Sequence, residues 1–418
     1  MKTIDWEERK HFGALDWARD HHDVVVVDGK GRVACELRFE HTAEGWRQMR
    51  EALQAYEPLA VAVETCQGLA VEQLLQAGYT VYPVNPKSAV RYRERKAPTG
   101  VKDDRRDAWS LADALRVDGH GWKPLAPEDA LVAELRMLTR DEVALIQQRT
   151  GLVNQLQSAL QDYYPAALEA FANWTCPATW AFIEAFPTPG ALVQAGPKKW
   201  EKFLRTHQLW KEATHERRMA AFAKALAMRG SPAAEEAKSF LAVAVVKVLA
   251  TLEIQLVAYR ERIEEKFRKH PDHDLFGSLP GAGPKLAPRL LSEIGDNRDR
   301  FESAEGLQAY AGTAPVTFQS GQIERHLVRR ACDPFLRCAV HHWAEQSRRQ
   351  CAWAATYYRA HRERGQSHAT ALRCLGQRWL KILWKMRQTG RPYDEAFHTR
   401  NQLKHGSWLA QLPPAKPA

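Results

Sequence analysis

A short string of acids and bases at residues 102–108, KDDRRDA, holds the residues whose types and spacing point most directly to chemistry. In a helix that begins near Asp103, Asp104 and Asp107 are three residues apart and project from one face. Two neighbouring carboxylates repel each other, and a divalent cation bound between them is the usual remedy. The same acids also suit the first turn of a helix, where they cap free amide groups and interact favourably with the helix dipole. The string therefore predicts either a helix start or half of a metal site.

The elements that precede this string bear on the choice between those interpretations. Hydrophobic alternation and turn residues predict strands at 11–18, 23–27, 32–39, 59–64 and 80–84, with helices at 42–56 and 69–77 and from residue 87 onward. The order β-β-β-α-β-α-β-α is that of an RNase H fold, a meander followed by crossover strands. The predicted fold class is therefore α/β for the first 125 residues and α for the remainder.

Two further acids fall at matching points of this predicted sheet. Asp16 lies on the first strand and Glu64 ends the fourth, and these strands are neighbours in an RNase H-type sheet. We expect them to meet Asp104 and Asp107 and to hold two Mg²⁺ ions about 4 Å apart, as phosphodiester chemistry requires. Taken singly, Asp16 is equally well explained as a surface acid and Glu64 as a loop acid.

The composition is that of an ordinary globular protein. The chain has 418 residues, 45% hydrophobic and 26% charged, which suggests two or three domains. Lys and Arg exceed Asp and Glu by 60 to 50, and the pI of about 9.2 favours a polyanionic partner. We expect no signal peptide, no apolar run of about 18 residues and hence no membrane span. The seven cysteines form no C-x-x-C pair, which favours reduced thiols in a cytoplasm.

Beyond residue 125, heptad patterns organise the chain. The expected domains are 1–125, 126–270 and 271–400, followed by a flexible tail at 401–418. Leucine-rich stripes at 131–160 and 245–263 predict two long arms of a coiled coil, with a small helical insertion at about 164–231 between them. Such a hairpin suits assembly into a dimer or a tetramer. The pattern leaves open whether the arms pair with each other or across subunits.

The last domain begins with a Pro/Gly turn that has two interpretations. LPGAGP at 279–284, followed by a helical run to Ile294, resembles a helix-hairpin-helix turn. In such a turn the amides near Gly281 and Gly283 approach a DNA phosphate. A plain turn between two helices is equally compatible.

Positive charge is concentrated after this turn. Residues 321–400 hold 16 Lys and Arg against 6 Asp and Glu. This surplus of ten positive charges equals the net charge of the whole chain. Such density indicates binding to a nucleic-acid backbone. Three arginines follow Ser320 most closely, Arg325, Arg329 and Arg330. Ser320 itself precedes Gly321 and, on residue type alone, is a turn residue.

Several motifs resemble one family of bacterial insertion-sequence transposases. They are ALDWA at 14–18, VETCQG at 63–68, VNP at 84–86 and KDDRRDA at 102–108. That family joins an N-terminal DEDD domain of the RuvC type to a C-terminal serine transposase domain, and its members are described as recombinases guided by a bridge RNA. Many members have Thr or Asn where this chain has Asp103, so the matching acids are Asp104 and Asp107.

The resemblance implies a role for each candidate residue. It assigns Mg²⁺ to Asp16, Glu64, Asp104 and Asp107, and it makes Ser320, within APVTFQSGQ at 314–322, a nucleophile that forms a covalent link to DNA. It also implies donor and target DNA and a non-coding guide RNA as partners, in a bacterial cytoplasm beside the nucleoid. Three basic residues of the acidic string would then lie near phosphate, Lys102, Arg105 and Arg106.

Two other functions are compatible with the residues alone. The first is a Mg²⁺-dependent endonuclease of the Holliday-junction type, which has the same fold but forms no covalent serine intermediate. The second is a nucleic-acid-binding protein whose acids are structural. Covalent protein–DNA adducts distinguish the transposase from both.

Overall fold

The structure, a computed structural model of the chain, describes residues 6–65, 68–96, 104–125 and 128–408, excepting the side chains of Lys96 and Asp104. Its contacts form two compact units, Met1–Pro127 and Glu128–Ala418. The first unit is mixed α/β and the second is mostly helical, as the sequence predicted. The long helices expected in the middle of the chain and the basic segment that follows them both belong to the second unit.

A five-stranded sheet forms the centre of the first unit. Its strands are β1 (His11–Trp17), β2 (His21–Asp28), β3 (Val33–Glu40), β4 (Ala60–Val63) and β5 (Thr80–Pro83). They lie in the order β3-β2-β1-β4-β5. The first three strands form an antiparallel meander, and β4 and β5 run parallel to β1. The turn between β2 and β3 forms because Asp28 Oδ1 accepts from the amides of Lys30 and Arg32, at 2.8 and 2.9 Å.

Helices cover both faces of this sheet. They are α1 (Ala43–Leu53), α2 (Leu69–Gln76), α3 (Pro86–Lys96) and α4 (Asp104–Asp118). Thr42 caps α1, since its hydroxyl accepts from the amide of Gly45 at 3.1 Å. The face that carries Leu15 packs on α1 and α2, and the face that carries Ala14 packs on α3 and α4. Alternation along β1 therefore assigns each of its residues to one of two cores.

Two long helices and an insertion form the first part of the second unit. The helices are α5 (Ala130–Tyr163), α6 (Pro165–Ala170), α7 (Pro177–Ala185), α8 (Pro189–Thr206), α9 (Glu212–Ala223) and α10 (Pro232–Arg268). Ion pairs show that α5 and α10 run antiparallel, since the partner number falls along α10 as it rises along α5. The pairs are Glu134–Lys266, Glu142–Arg260, Arg149–Glu253 and Asp162–Lys238. The two arms therefore pair within one chain, and α6 to α9 pack at their far end.

One helix departs from the sequence-based expectation about apolar runs. By length and composition alone, α10 contains a stretch apolar enough to cross a membrane. One side of α10 packs along α5 through Val246, Leu249 and Leu256, all buried, but only 28% of the apolar stretch is buried. The buried stripe follows from this packing, whereas Val248, Ile254 and Val257 of the same helix are exposed.

The remainder of the second unit is a helical core with one small sheet. Its elements are α11 (His273–Gly277), α12 (Gly283–Ile294), α13 (Ala304–Tyr310), β6 (Val316–Ser320), β7 (Ile323–Leu327), α14 (Pro334–Gln350), α15 (Ala352–Glu363), α16 (His368–Thr389) and α17 (Glu395–Lys404). Trp343 of α14 and Trp379 of α16 are buried with ring centroids 5.0 Å apart, and the Trp379 indole donates to Ser347 Oγ. Six of the seven cysteines lie in the described part of the chain and all six are free thiols.

Candidate functional site

Asp16 and Glu64 occupy equivalent places at the carboxyl ends of neighbouring parallel strands. In the register of β1 and β4, Leu15 lies beside Val63, and the residue that follows each of them is an acid. Alternation places Asp16 on the sheet face of Ala14, which is the face that α4 covers, and Glu64 is the first residue after β4. Both are half-buried. The sheet therefore brings together two carboxylates that are 48 positions apart in sequence.

Asp107 comes to the same face from α4. Its neighbour Ala108 is fully buried, and Leu111 and Leu115 continue this stripe against the sheet. The Asp107 side chain is only 14% exposed. Its Oδ2 accepts from Arg93 Nη1 of α3 at 2.7 Å, whereas its buried Oδ1 has no hydrogen-bond partner among the described residues.

The structure confirms that a helix starts in the acidic string, and Asp104 is its first residue. Asp104 thus lies one helical turn before Asp107, at the spacing that places two residues on one face. Arg105 and Arg106 are exposed, and Arg105 Nε lies 3.1 Å from Glu36 Oε1 of β3. Lys102 and Asp103 lie outside the described residues, so their expected roles near phosphate and at the edge of the site stay predictions.

The structure adds an acid that sequence reasoning did not single out. Asp23 on β2 lies directly across from Asp16 in the antiparallel register and is buried. Arg38 of β3 binds both of its carboxylate oxygens, at 2.9 and 2.7 Å. The sequence held a signal for this residue, because Asp23 directly precedes a run of four valines. Such a run predicts a buried strand, and an acid on a buried strand needs a partner of opposite charge. Because its two oxygens are bound by a guanidinium, Asp23 neighbours the site without offering an oxygen to it.

The acids at this face have the residue type that a divalent cation such as Mg²⁺ binds through oxygen. Among the described side chains, which do not include that of Asp104, no three His, Cys, Asp or Glu form a group able to hold a metal ion. The buried, unpartnered Oδ1 of Asp107 is the observation that favours an ion, because a carboxylate oxygen without a partner is costly unless a cation meets it. Carboxylates are the ligands that Mg²⁺ prefers.

Ser320 lies on an exposed hairpin of the second unit. Strands β6 and β7 pair with Ser320 opposite Ile323, so the loop is the two residues Gly321 and Gln322. Gly321 has φ of +58°, as the first loop residue of a type II′ hairpin turn requires. The sequence predicted a turn here but not the strands around it. The sequence signal for this hairpin is apolar residues at alternate positions, Val316 and Phe318 before Gly321 and Ile323 after it.

The two faces of this hairpin differ. Residues paired directly across an antiparallel ladder share a face, so Ser320 lies with Ile323 and Phe318, and His326 lies on the opposite face with Thr317. The Thr317 hydroxyl and His326 Nδ1 are 3.4 Å apart, and His326 Nε2 is 3.7 Å from Glu324. The nearest histidine in sequence is therefore not positioned to take a proton from Ser320.

The arginines after Ser320 divide into exposed and structural ones. Arg325 and Arg330 are exposed. Arg329 instead donates to the carbonyl oxygens of Ala314 and Pro315, at 3.3 and 3.4 Å, and so fixes the base of the hairpin. Farther along the chain, Arg387 is buried and donates to the carbonyl oxygens of Gly295 and Asn297, just after α12. The basic surplus of this segment is therefore only partly a surface feature.

The two glycines of the predicted helix-hairpin-helix turn have different surroundings. Gly281 has φ of +77°, and its amide donates to Gln350 Oε1 at 2.9 Å. A Cβ there would lie 2.5 Å from the backbone nitrogen of Ser347, so this glycine allows α14 to approach. Gly283 has φ of +53° and open space around it. A phosphate contact by either glycine stays a prediction, and Gly283 has the room for one.

Comparisons with known proteins give one consistent result over both units. Residues 14–165 match the DEDD transposase profile of the IS110 type, described as a transposase. Residues 273–359 match a profile described as the transposase IS116/IS110/IS902 family. All four candidate acids fall in the first match and Ser320 in the second.

Two relatives match over nearly the whole chain, and a third matches over a short segment. The putative transposase of the mini-circle IS117 of Streptomyces coelicolor is 33% identical over 409 residues, which cover 93% of this chain and 97% of that protein. A 42 kDa protein of insertion element IS900 of Mycobacterium paratuberculosis is 30% identical over 392 residues, covering 91% and 96%. A pilin gene-inverting protein of Moraxella bovis is 49% identical over 47 residues, covering 11% and 14%.

Proposed function

This chain belongs to the IS116/IS110/IS902 family of transposases, and from that premise we propose that it cleaves and rejoins DNA strands with Ser320 as nucleophile and a Mg²⁺-binding cluster of Asp16, Glu64, Asp104 and Asp107. The family itself makes DNA transposition the process in which the protein acts. The residue roles, the metal and the nucleophile are the proposed part.

The register of β1 and β4 is the single observation that carries the proposal for the acids. In that register Asp16 follows Leu15 and Glu64 follows Val63, at the same end of neighbouring parallel strands, and this supports a shared site. On α4, Asp107 supplies a buried oxygen without a partner among the described residues. If Asp107 were purely structural, both of its oxygens would be expected to have partners, as both oxygens of Asp23 have from Arg38.

Mg²⁺, when bound, polarises the phosphate oxygens and stabilises charge on the attacking and leaving oxygens. The chain's own residues bind and orient the DNA. In the proposed step, Ser320 Oγ attacks phosphorus, a serine–phosphate ester forms, and one phosphorus–oxygen bond to deoxyribose breaks. The Oγ proton passes to a base, and the departing sugar oxygen gains a proton. His326 faces away from Ser320, so this base comes from outside the hairpin.

The same proposal includes the finer features of fold and assembly. We infer that the first unit is an RNase H-type domain of the RuvC kind, because its strand order follows that topology. We infer also that α5 and α10 form a coiled coil, that the protein assembles as a dimer or tetramer, and that a non-coding RNA guides it to DNA. The antiparallel packing and ion pairs of α5 and α10 support the inference of a coiled coil.

An adduct assay tests the chemistry. The protein is incubated with a DNA duplex that spans the end of its own insertion element, with Mg²⁺ and with or without RNA transcribed from the flanking non-coding segment. Wild type should form a covalent protein–DNA adduct that Ser320→Ala abolishes without loss of DNA binding. Gln319→Ala, an exposed change on the opposite face of the hairpin, is the matched control and should retain the adduct.

Two outcomes would overturn parts of this proposal. Free 5′-phosphate and 3′-hydroxyl ends without any adduct would indicate the endonuclease of the Holliday-junction type. Activity that survives Asp107→Asn and chelation of Mg²⁺ would show that the acids are structural.

A further inference from the structure

The face of the β6–β7 hairpin that carries Ser320 is unusually apolar for an exposed surface. Four side chains that share this face are exposed by a third to a half or more, Val316 (37%), Phe318 (52%), Ile323 (54%) and Leu327 (50%). Exposed apolar side chains that lie together on one side of a projecting element indicate a binding surface. Here they flank the proposed nucleophile.

If Ser320 attacks DNA, then DNA must lie on this face of the hairpin during the reaction. Ile323 lies directly across from it and Phe318 lies two residues before it on the same strand. Those spacings place both side chains within about 7 Å of the serine. Any DNA phosphate that reaches Ser320 Oγ therefore brings its adjoining nucleotides against Phe318 and Ile323.

The basic and acidic side chains of the hairpin strands also lie on different faces. Arg325 pairs with Phe318 and lies on the face of Ser320, whereas Glu324 lies on the opposite face with His326. The apolar face thus has a cation and no acid among its strand residues. This is the combination that a nucleic acid requires, in which a guanidinium meets phosphate and apolar side chains meet bases or sugars.

We propose that Phe318 and Ile323 contact a base next to the phosphodiester that Ser320 attacks, and that Phe318 stacks on it after it leaves the helical stack. The proposal rests on the proposed role of Ser320. A base is the favoured contact because an apolar side chain gains nothing against a hydrated phosphate, whereas side chains such as Phe and Ile separate base steps in other DNA-binding proteins.

Fluorescence of 2-aminopurine tests this contact directly. The base is placed in turn at each nucleotide that flanks the crossover point of the element-end duplex, and the Ser320→Ala protein is used so that no chemistry follows binding. At one position fluorescence should rise on binding. Adding Phe318→Ala should remove that rise and weaken binding roughly five- to 150-fold, the usual effect of losing one base–aromatic stack.

Matched variants separate stacking from folding. Phe318→Trp should retain the affinity, whereas Phe318→Leu should lose the larger part of both the affinity and the fluorescence rise. Gln319→Ala, on the opposite face of the same strand, should leave both unchanged. In the serine-containing protein, Phe318→Ala should slow adduct formation while Gln319→Ala does not.

The inference and the proposed function can fail separately. If wild type forms adducts that Ser320→Ala abolishes, but Phe318→Ala leaves fluorescence and affinity unchanged, the role of Phe318 is overturned and that of Ser320 stands. A change in oligomeric mass in place of a change in DNA affinity would assign the face to a second copy of the chain, and would likewise overturn the base contact. Adducts that persist in Ser320→Ala overturn the proposed nucleophile.

Discussion

Arg93 donates from Nη1 to Oδ2 of Asp107 at 2.7 Å, which leaves the second carboxylate oxygen of Asp107 buried and without a partner in the described part of the chain. The two residues come from α3 and α4, and both side chains are largely covered. One oxygen is thereby held in place, and the other is the one that would meet the cation in the proposed cluster. Charged residues behind a metal ligand commonly orient it in this way.

Removing this support should weaken metal binding. Arg93→Met retains an unbranched side chain of similar reach but loses the hydrogen bond, so the affinity for Mn²⁺ should fall about 10- to 100-fold. Isothermal titration of the purified protein measures the affinity. Arg91→Met, an exposed change on the same helix, serves as control and should have no effect. Tighter binding by Arg93→Met would show instead that Arg93 competes with the ion.

His22 should make stability depend on pH. It is buried against Trp46 and Phe39, and its Nε2 lies 2.7 Å from His41 Nδ1. Burial, and then the neighbouring His41, lower the pKa of His22 from 6.5 to about 4. Between those values the unfolded chain binds more protons than the folded one, so this contribution is present above pH 6.5 and is lost as pH falls towards 4.

Replacing His22 isolates this contribution from those of other histidines. The free energy of unfolding in urea, measured at pH 7 and at pH 5, should fall less in His22→Gln than in wild type. The difference should be on the order of 1–2 kcal/mol. His120→Gln, an exposed change in the same unit, should leave the wild-type pH dependence intact. An equal slope in wild type and His22→Gln would contradict the lowered pKa.

Glu142 should be essential to the second unit. Its buried carboxylate, on α5, accepts from Arg260 of α10 at 3.2 Å and from Arg289 of α12 at 2.6 Å. Glu142→Ala leaves two guanidiniums without their shared partner and should cost about 3–5 kcal/mol. Urea unfolding followed by circular dichroism measures the loss. Glu261→Ala on the exposed side of α10 should change stability by no more than about 0.5 kcal/mol.

The two glycines of the Pro/Gly turn should differ in what they tolerate. Gly281→Ala combines positive φ with a close approach to the backbone of Gln346 and Ser347, so it should cost about 3 kcal/mol or more. Gly283→Ala meets no neighbour and should cost only about 1–2 kcal/mol of backbone strain. Thermal unfolding compares the two. If Gly283 also contacts phosphate, its alanine variant should bind DNA more weakly at temperatures where it is fully folded.

Local pattern determined much of the first unit. The alternation in residues 11–40, the turn residues at 28–31 and the cap at Thr42 act over a few residues, so the strands and α1 could be predicted from the sequence. Asp16 and Glu64 could be assigned to strand ends for the same reason, and Asp104 and Asp107 to the start of a helix. The heptad stripes predicted the two long helices but not their partners, because the same apolar stripe serves pairing within a chain or between chains.

Tertiary structure alone decided which charges meet. Arg93 reaches Asp107 and Arg38 reaches Asp23 because packing brings separate elements together, and no spacing along the chain records that proximity. Gly281 is required by the approach of α14, a helix that begins more than fifty residues later. Exposure of the Ser320 face was equally beyond the sequence, since apolar residues that alternate along a strand would ordinarily face a core. Whether these apolar residues face solvent or a core depends on contacts with the rest of the chain, which only the folded molecule defines.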